Sequence, residues 1–360
     1  MILSYSEGDD ILSGQLTVDF GNSYTVIAYW RQAYRQAETL YVPRITRPMH
    51  HRTDNDGKTI YAAPCLILYQ NTGQYLVGQE AAESLRDSGH DRTVFKNLRL
   101  DVMTGKRVYS PAGGRRLSGQ DIACDYLSSV VRQAGQALGV NGHSVIVFTV
   151  PAEACASDAV WRRYSRWLDD VVRQAGYTRL ELVEQPLAAA WGAGMPLKPA
   201  ERFLVIDIED DCIEAAVAQV ALGAGSSDAR RLRIVSYGRE WLTDQEEVAA
   251  CEQLLQRTLR QAGGLGCAGG TLAGIVVTGS SRWCSGLRNI LQRSLGGIPL
   301  YDRNLRQAAA CGAAALTAGS DACGYIRHNY GVRYLDNDKY HYRQLVASGT
   351  FYPAMGRLLS

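Results

Sequence analysis

The sequence lacks an excess of charge of either sign: 38 lysines and arginines face 36 aspartates and glutamates, a formal net charge of +2. A basic field of the kind that draws in nucleic acid is absent, and no nucleic-acid partner is expected. No apolar run approaches the ~20 residues of a membrane span, so no membrane association is expected either. Met1 to Ser13 offers neither a basic start nor an apolar stretch, and no secretory signal is expected. Nine cysteines occur without a C-x-x-C pair, which argues for reduced, mostly buried thiols rather than a disulfide framework or a zinc site. His50-His51 is a pair of metal-ligating type with no third ligand in view. These absences favour a cytoplasmic protein. At 360 residues the chain can bury a large core, expected in two lobes.

What is present is a repeated kind of turn. Leu16-Thr17-Val18-Asp19-Phe20-Gly21-Asn22-Ser23 and Phe203-Leu204-Val205-Ile206-Asp207-Ile208-Glu209-Asp210-Asp211 each run an apolar strand into an aspartate and a turn, and strand-like residues follow. Each reads as a buried β-hairpin. One hairpin per half-chain implies a duplicated α/β fold with a cleft between the halves. Between them, Ser118-Gly119-Gln120-Asp121 has the form of a capping box. It opens a helix with Ile122, Tyr126, Leu127, Val130, Val131 and Leu138 at helical spacing. Ser144–Ala152 reads as a buried strand ended by Pro151, and Val160, Trp161, Tyr164, Trp167, Leu168 and Val171 form one face of the next helix. Arg31 to Lys58 reads as solvated connections, Pro64 to Tyr69 as one strand, and Gly105 to Gly119 as a hairpin or loop. Helices are expected over Gln245–Ala262, Arg282–Leu295 and the alanine-rich Asn304–Leu316, where Gly312 suits close backbone packing.

The two turns resemble the phosphate loops of the actin-like ATPase superfamily (a duplicated ribonuclease-H-like fold), and more closely those of the seventy-kilodalton heat-shock chaperones (DnaK-like). Further segments follow in the family's order. Pro64–Tyr69 and Tyr75–Ala81 look like its "PS" strand and "VG-x-x-A" element, and Ser144–Ala152 like its "VITVPA" strand. Leu182–Gly192 is similar to the "NEPTAAA" segment that joins the lobes, and Thr278-Gly279-Ser280-Ser281-Arg282 to the adenosine motif "VGGSTR". Tyr330–Leu335, Tyr342–Val346 and Gly349–Pro353 resemble the opening strands of the peptide-binding β-sandwich. The likeness runs from about 16 to 353. It implies a first lobe over residues 14–192, a second over 193–322 and the start of a β segment over 323–360.

The resemblance also assigns roles. Gly21, Asn22 and Ser23 would offer backbone N–H groups and a hydroxyl to a phosphate, and Asp19 would hold hydrated Mg²⁺ as a hard oxygen ligand. Lys96 would supply a point charge to the transferred phosphate, and Asp207 would be the second metal-facing aspartate. Gly279, Ser280 and Arg282 would flank adenosine. Plainer readings stand beside these: a strand-end turn at Asp19 and Asp207, a surface lysine at Lys96 and a helix N-cap at 279–282.

Three departures argue against turnover. Glu209, Asp210 and Asp211 stand where the family has glycines, with Glu214 nearby. A like-charge pair about 5 Å apart costs roughly 3 kcal/mol at an effective dielectric near 20. A solvent-facing acidic turn without a role is the alternative. Gln185 replaces the family's coupling glutamate, with Glu184 next door as a substitute. Only 72 positions separate Asp207 from Gly279 (279 minus 207), too few for the subdomain that clamps adenine in the family. The expectation is therefore a chaperone-like pseudo-ATPase that binds a protein or peptide, in a hetero-complex or a homo-oligomer. No cofactor is expected; ATP with Mg²⁺ would be the ligand of a pocket still functional. An active chaperone ATPase and a filament-forming actin relative are the rivals.

Overall fold

The computed structural model describes residues 15–49, 59–86, 92–105, 108–110, 116–220, 232–242, 247–264, 272–279, 285–302, 305–318, 324–325, 330–336, 339–346 and 351–352. His50, His51, Ser280 and Arg282 lie outside them, so the metal and adenosine readings of those four residues have no structural counterpart here.

The chain builds a mixed α/β structure around two sheets. In the first, β1 (Gln15–Phe20) and β2 (Tyr24–Arg31) form the expected hairpin. Strands β3 (Gln36–Thr39), β4 (Arg47–Met49) and β5 (Ile60–Pro64) extend it on the β2 side. The next three strands, β6 (Ile67–Gln70), β7 (Tyr75–Val77) and β8 (Arg92–Phe95), leave this sheet and pair with one another. Helix α1 (Gly78–Ser84) follows β7 and α2 (Leu98–Thr104) follows β8. A two-residue ribbon, β9 (Val108–Tyr109) with β10 (Leu117–Ser118), precedes α3 (Gly119–Leu138). The first sheet is then completed by β11 (Val145–Val150) and β12 (Arg179–Glu184), parallel to β1 on its other side. Between those two strands lie α4 (Ala152–Cys155) and α5 (Asp158–Gln174).

The second sheet repeats the order. β13 (Arg202–Ile208) pairs antiparallel with β14 (Cys212–Val220), which pairs antiparallel with β15 (Leu232–Trp241). On the other side β13 takes β16 (Ile275–Gly279) and then β17 (Leu300–Tyr301), both parallel. In both sheets the strand whose penultimate residue is the aspartate is flanked by its hairpin partner and by a parallel strand. Phe203 to Ile208 is buried along its whole length, as a strand covered on both faces requires.

Local chemistry explains the helices. The capping box is real: the Ser118 hydroxyl accepts from the Asp121 N–H at 3.1 Å, and the Asp121 carboxylate accepts from the Ser118 N–H at 2.8 Å. On α5, Tyr164, Trp167, Leu168 and Val171 are buried in the first core, with Trp161 packed at its margin, while Arg162, Arg163 and Arg166 are exposed. The aromatic stripe is core, not a partner surface. α7 (Glu247–Gly264) and α8 (Ser285–Ser294) match the expected helices to within a few residues.

Two strand readings need correction. Residues 31–58 are not merely solvated connections, because β3 and β4 form there and Leu40, Val42 and Ile45 are buried. Those three apolar residues are spaced too irregularly among arginines to show a period. Pro64–Tyr69 is two strands, since the Leu66 N–H donates to the Pro64 carbonyl at 2.8 Å and breaks the run.

A pair of small-residue helices joins the two cores. α6 (Gln185–Gly192) and α9 (Ala308–Thr317) cross each other. Ala310 and Ala314 pack on Val26, Ala28 and Ile60 of the first sheet, while Leu187, Ala189 and Ala309 pack with Phe203 and Val205 of the second. A Cβ on Gly312 would overlap the Ala188 carbonyl oxygen. Beyond α9, two strands, Tyr330–Asp336 and Lys339–Val346, form an antiparallel ribbon that exposes Tyr340 and Tyr342. Gly312→Val should force the two helices apart and cost about 1–3 kcal/mol, the usual range for overpacking, read as a lowered urea midpoint; an unchanged midpoint would refute the close crossing.

Candidate functional site

The two turns meet. At the end of β1, Gly21 donates its N–H to the Tyr24 carbonyl at 3.0 Å, closing the first turn. At the end of β13, Glu209 donates its N–H to the Cys212 carbonyl at 2.8 Å, closing the second. The Glu209 side chain then reaches across. Its carboxylate accepts from the Asn22 N–H at 2.9 Å and from the Ser23 N–H at 3.3 Å. A Cβ on Gly21 would stand 2.7 Å from Glu209 Oε1, so the bare backbone here makes room for the carboxylate. In return, the Asp210 N–H donates to the Ser23 hydroxyl at 3.1 Å. The Asn22 amide donates to Cys212 Sγ at 3.8 Å, and its Oδ1 accepts from the Leu100 N–H at 3.1 Å, in the first turn of α2.

A guanidinium lies beneath this junction. Arg99, on the second residue of α2, is 1% exposed. Its Nη2 is 3.2 Å from Glu214 and 3.5 Å from Glu209, and its Nη1 is 3.8 Å from Asp207. Arg239 on β15 donates through Nε to Glu214 at 2.8 Å and through Nη2 to Glu153 on α4 at 2.6 Å. Asp207 also accepts from the Gln185 amide at 3.2 Å, and Asp19 accepts from the Thr149 hydroxyl. Pairing across β13 and β14 places Asp207 opposite Glu214, and pairing across β13 and β16 places it beside Thr278.

Two guanidiniums cannot offset every carboxylate here, and the proton affinities divide accordingly. Burial pushes Asp207 well above its ordinary value of 3.8, and repulsion from Glu209 adds to this against the pull of Arg99. Burial likewise raises Glu209 and Asp19 despite the pull of Arg99. Glu214 is the exception: burial acts on it too, but Arg99 and Arg239 together hold it below its ordinary 4.5. Cys212 is buried, and its thiol is pushed up by that burial, so it is an inert neighbour.

The expected site residues therefore separate into groups. Asp19, Asn22, Ser23, Gln185, Asp207, Glu209 and Glu214 converge, with Gly21 beside them. Gly279 adjoins Asp207 through its strand register, at a φ of 104°; a Cβ there would stand 2.8 Å from Asp207 Oδ1, and its N–H donates to the Leu305 carbonyl at 2.8 Å. Lys96 stays outside: it is exposed, on the wall of a cavity of about 270 Å³ lined also by Ser23, Tyr24, Arg47, Asp210 and Asp211. Glu184 does not stand in for Gln185, because it accepts from the Leu232 N–H at 3.3 Å, away from Asp207. Arg99, Arg239, Glu153 and Thr149 were not foreseen. One signal for Arg99 exists in the sequence: it is three and four residues before the buried Val102 and Met103, a charge on an apolar helix face.

Mg²⁺ with a triphosphate is the ligand that the resemblance implies, and the side chains do not fit it. The Asn22 and Ser23 N–H groups are taken by Glu209, and a guanidinium stands against Asp207 where a metal would have to bind. Among the described residues no cluster of three or more histidines, cysteines or carboxylates could hold a metal ion.

No protein-family model matches the chain. It is similar to the proteins named "Chaperone protein HscA homolog" of two Acidithiobacillus ferrooxidans strains (ATCC 53993 / BNL-5-31 and ATCC 23270 / DSM 14882), 25% identical over 270 residues in each case. The match covers 68% of this chain and 40% of each relative, so the chain spans less than half the length of the relatives it matches. The similarity supports a distant relationship to the heat-shock chaperones. No helix among the described residues is long and apolar enough to cross a membrane.

Glu214→Gln should cost about 3–5 kcal/mol at neutral pH, because it strips compensation from buried guanidiniums. Asp207→Asn should not destabilise there and should gain what the wild type loses to the raised Asp207 carboxyl. The pH dependence separates the two. The folded-state value of Asp207 lies above 3.8, so its ionisation costs stability as pH rises from 3.8 through that raised value, and the asparagine removes this decline. The folded-state value of Glu214 lies below 4.5, so its contribution is complete above 4.5 and is lost as pH falls through the lowered value. Urea unfolding of the three proteins across acid to neutral pH reads both effects; equal losses in the two variants would overturn this assignment.

Proposed function

We propose that the chain is a chaperone-like pseudo-ATPase: an actin-like framework retained as a scaffold for protein or peptide binding, with little or no ATP hydrolysis. The reading divides it into lobes over residues 14–192 and 193–322 and a β segment over 323–360. The repeated strand order of the two sheets supports the duplicated ribonuclease-H-like architecture, and the match to HscA homologues supports the chaperone relationship.

One observation carries the loss of turnover. The Glu209 carboxylate accepts the two backbone N–H groups, Asn22 and Ser23, that a phosphate would use. A phosphoryl group would have to displace a carboxylate from the same donors and then sit beside it. Gln185 adds to this, since its amide is bonded to Asp207 and carries no charge to place a metal or a water. The described residues between β15 and β16 hold a single helix, α7, which agrees with a second lobe trimmed of its adenine-clamping part.

Binding would then use surfaces rather than the cleft. The ribbon of Tyr330–Asp336 and Lys339–Val346 exposes Val332, Tyr334, Leu335, Tyr340, Tyr342 and Leu345. A two-stranded ribbon is marginal without a covering partner, so a protein or peptide is the class of ligand it suits. A cytoplasmic setting agrees with the free thiols of Cys65, Cys155, Cys212 and Cys251, all buried.

The test is a thermal-shift titration with Mg·ATP, beside suppression of aggregation of an unfolded model protein. A nucleotide at 100 times its Kd would add about 2.7 kcal/mol of stability. The expected result is no shift, with any suppression of aggregation unaffected by ATP. A saturable shift, or suppression that depends on hydrolysis, would reject the reading.

A further inference from the structure

Three charged side chains cross the cleft, and they cross in opposite directions. Glu209 leaves the second sheet's hairpin and ends on the first turn. Arg99 leaves α2, beside the first sheet, and ends among Asp207, Glu209 and Glu214 of the second. Arg239 leaves β15 and returns to Glu153 on α4. Glu209 and Arg99 also face each other at 3.5 Å. One occupies the backbone donors suited to an anion, and the other compensates the aspartate suited to a cation.

We infer that Arg99 and Glu209 are an internal counterpart of a cation–anion ligand pair, and that they clamp the two sheets across the cleft in a closed arrangement that needs no ligand. The opposed directions make the clamp cooperative. Moving the sheets apart withdraws Arg99 from three carboxylates and Glu209 from two N–H groups in the same motion. Each group is buried, so each is left without a partner until water enters, and none can be released alone without that penalty. The first turn cannot drift independently, because Asn22 is also tied to the start of α2 through the Leu100 N–H. Arg99 is therefore held at both ends: its helix is anchored to the turn that its own carboxylate partner grips.

The clamp rests on the reading of the cleft as one that takes no nucleotide, and hydrogen exchange on the intact chain separates the two. Arg99→Met keeps the apolar stem and removes the charged guanidinium. Amides of residues 21–24 and 209–213 should exchange at least about tenfold faster in this variant, the factor that 1.4 kcal/mol of lost interaction produces. Amides of Ile146 to Val150, inside the first sheet, should keep their wild-type rates. Arg173→Met, which breaks an exposed pair with Asp169 on α5, is the control and should leave both turns unchanged. Folded Arg99→Met with wild-type exchange at the turns overturns the clamp. Should that variant not fold, Glu209→Ala carries the test: its turns should exchange faster, and added acetate or inorganic phosphate should restore them by occupying the vacated N–H groups. No acceleration, or acceleration that neither anion reverses, overturns the clamp as well. Slower exchange of the wild type in Mg·ATP would instead reject the no-nucleotide reading.

Discussion

A guanidinium buried to 1% exposure sets the terms for the rest of this molecule. Bringing Arg99 out of water carries a penalty of several kcal/mol even after relaxation, and only close carboxylates recover it. Glu214 is the foremost of them, with Glu209 and Asp207 beside it, and all three belong to one hairpin of the second sheet. The first sheet's neighbouring helix thus depends on the second sheet for its charge balance. The converse also holds, since Arg99 and Arg239 hold the Glu214 carboxyl below its ordinary range against its burial. Neither half is electrostatically complete alone.

The fold is arranged to bring these partners to one point. In each sheet an inner strand carries an aspartate one residue before its end, on the side that faces the other sheet, and the alanine-rich crossing of α6 and α9 holds those ends close. Side chains at that crossing are small because the backbones nearly touch, as the Ala188 carbonyl under Gly312 shows. The short side chains bring the sheets together, and the long ones at the cleft then bridge what remains. Asn97 contributes by its backbone alone. With a φ of 58° it turns the chain sharply between Lys96 and α2, so the lysine faces solvent while Arg99, on the helix, faces in.

That turn marks where the sequence stopped being readable. Periodicity and capping chemistry located α3, α5 and α7, and the two aspartate turns identified the hairpins, because each signal is local. The parallel pairing of β1 with β11 and of β13 with β16 is non-local and was not read from the sequence. Choosing Arg99 over Lys96 was a different problem. Both are cations within four residues, and what decides between them is a left-handed backbone at Asn97 and a capping contact from Asn22, which is 78 positions from Leu100. The acidic stretch illustrates the same limit. As a string, Glu209-Asp210-Asp211 reads as repulsion. In space Glu209 is compensated by Arg99 and by backbone donors, while Asp210 and Asp211 turn to the cavity that Lys96 lines.

Stability alone does not account for such a network. Replacing a buried ion cluster with apolar residues of similar volume is often neutral or stabilising, so a core of leucine and methionine would join the sheets at least as firmly. It would join them with less geometric definition. Apolar contacts are non-directional and tolerate small rotations of one sheet against the other, whereas Arg99 must hydrogen-bond Glu214 within ion-pair distance of two further carboxylates, and Glu209 must accept from two N–H groups at once. These are conditions on distance and direction that few relative placements satisfy together. In a relative that binds and releases a ligand, the cleft must have at least two such placements, with the ligand choosing between them. Under the proposed clamp both halves of the selecting pair are part of the chain, so the choice would be made when the chain folds, and the surface outside the cleft would be presented in one geometry.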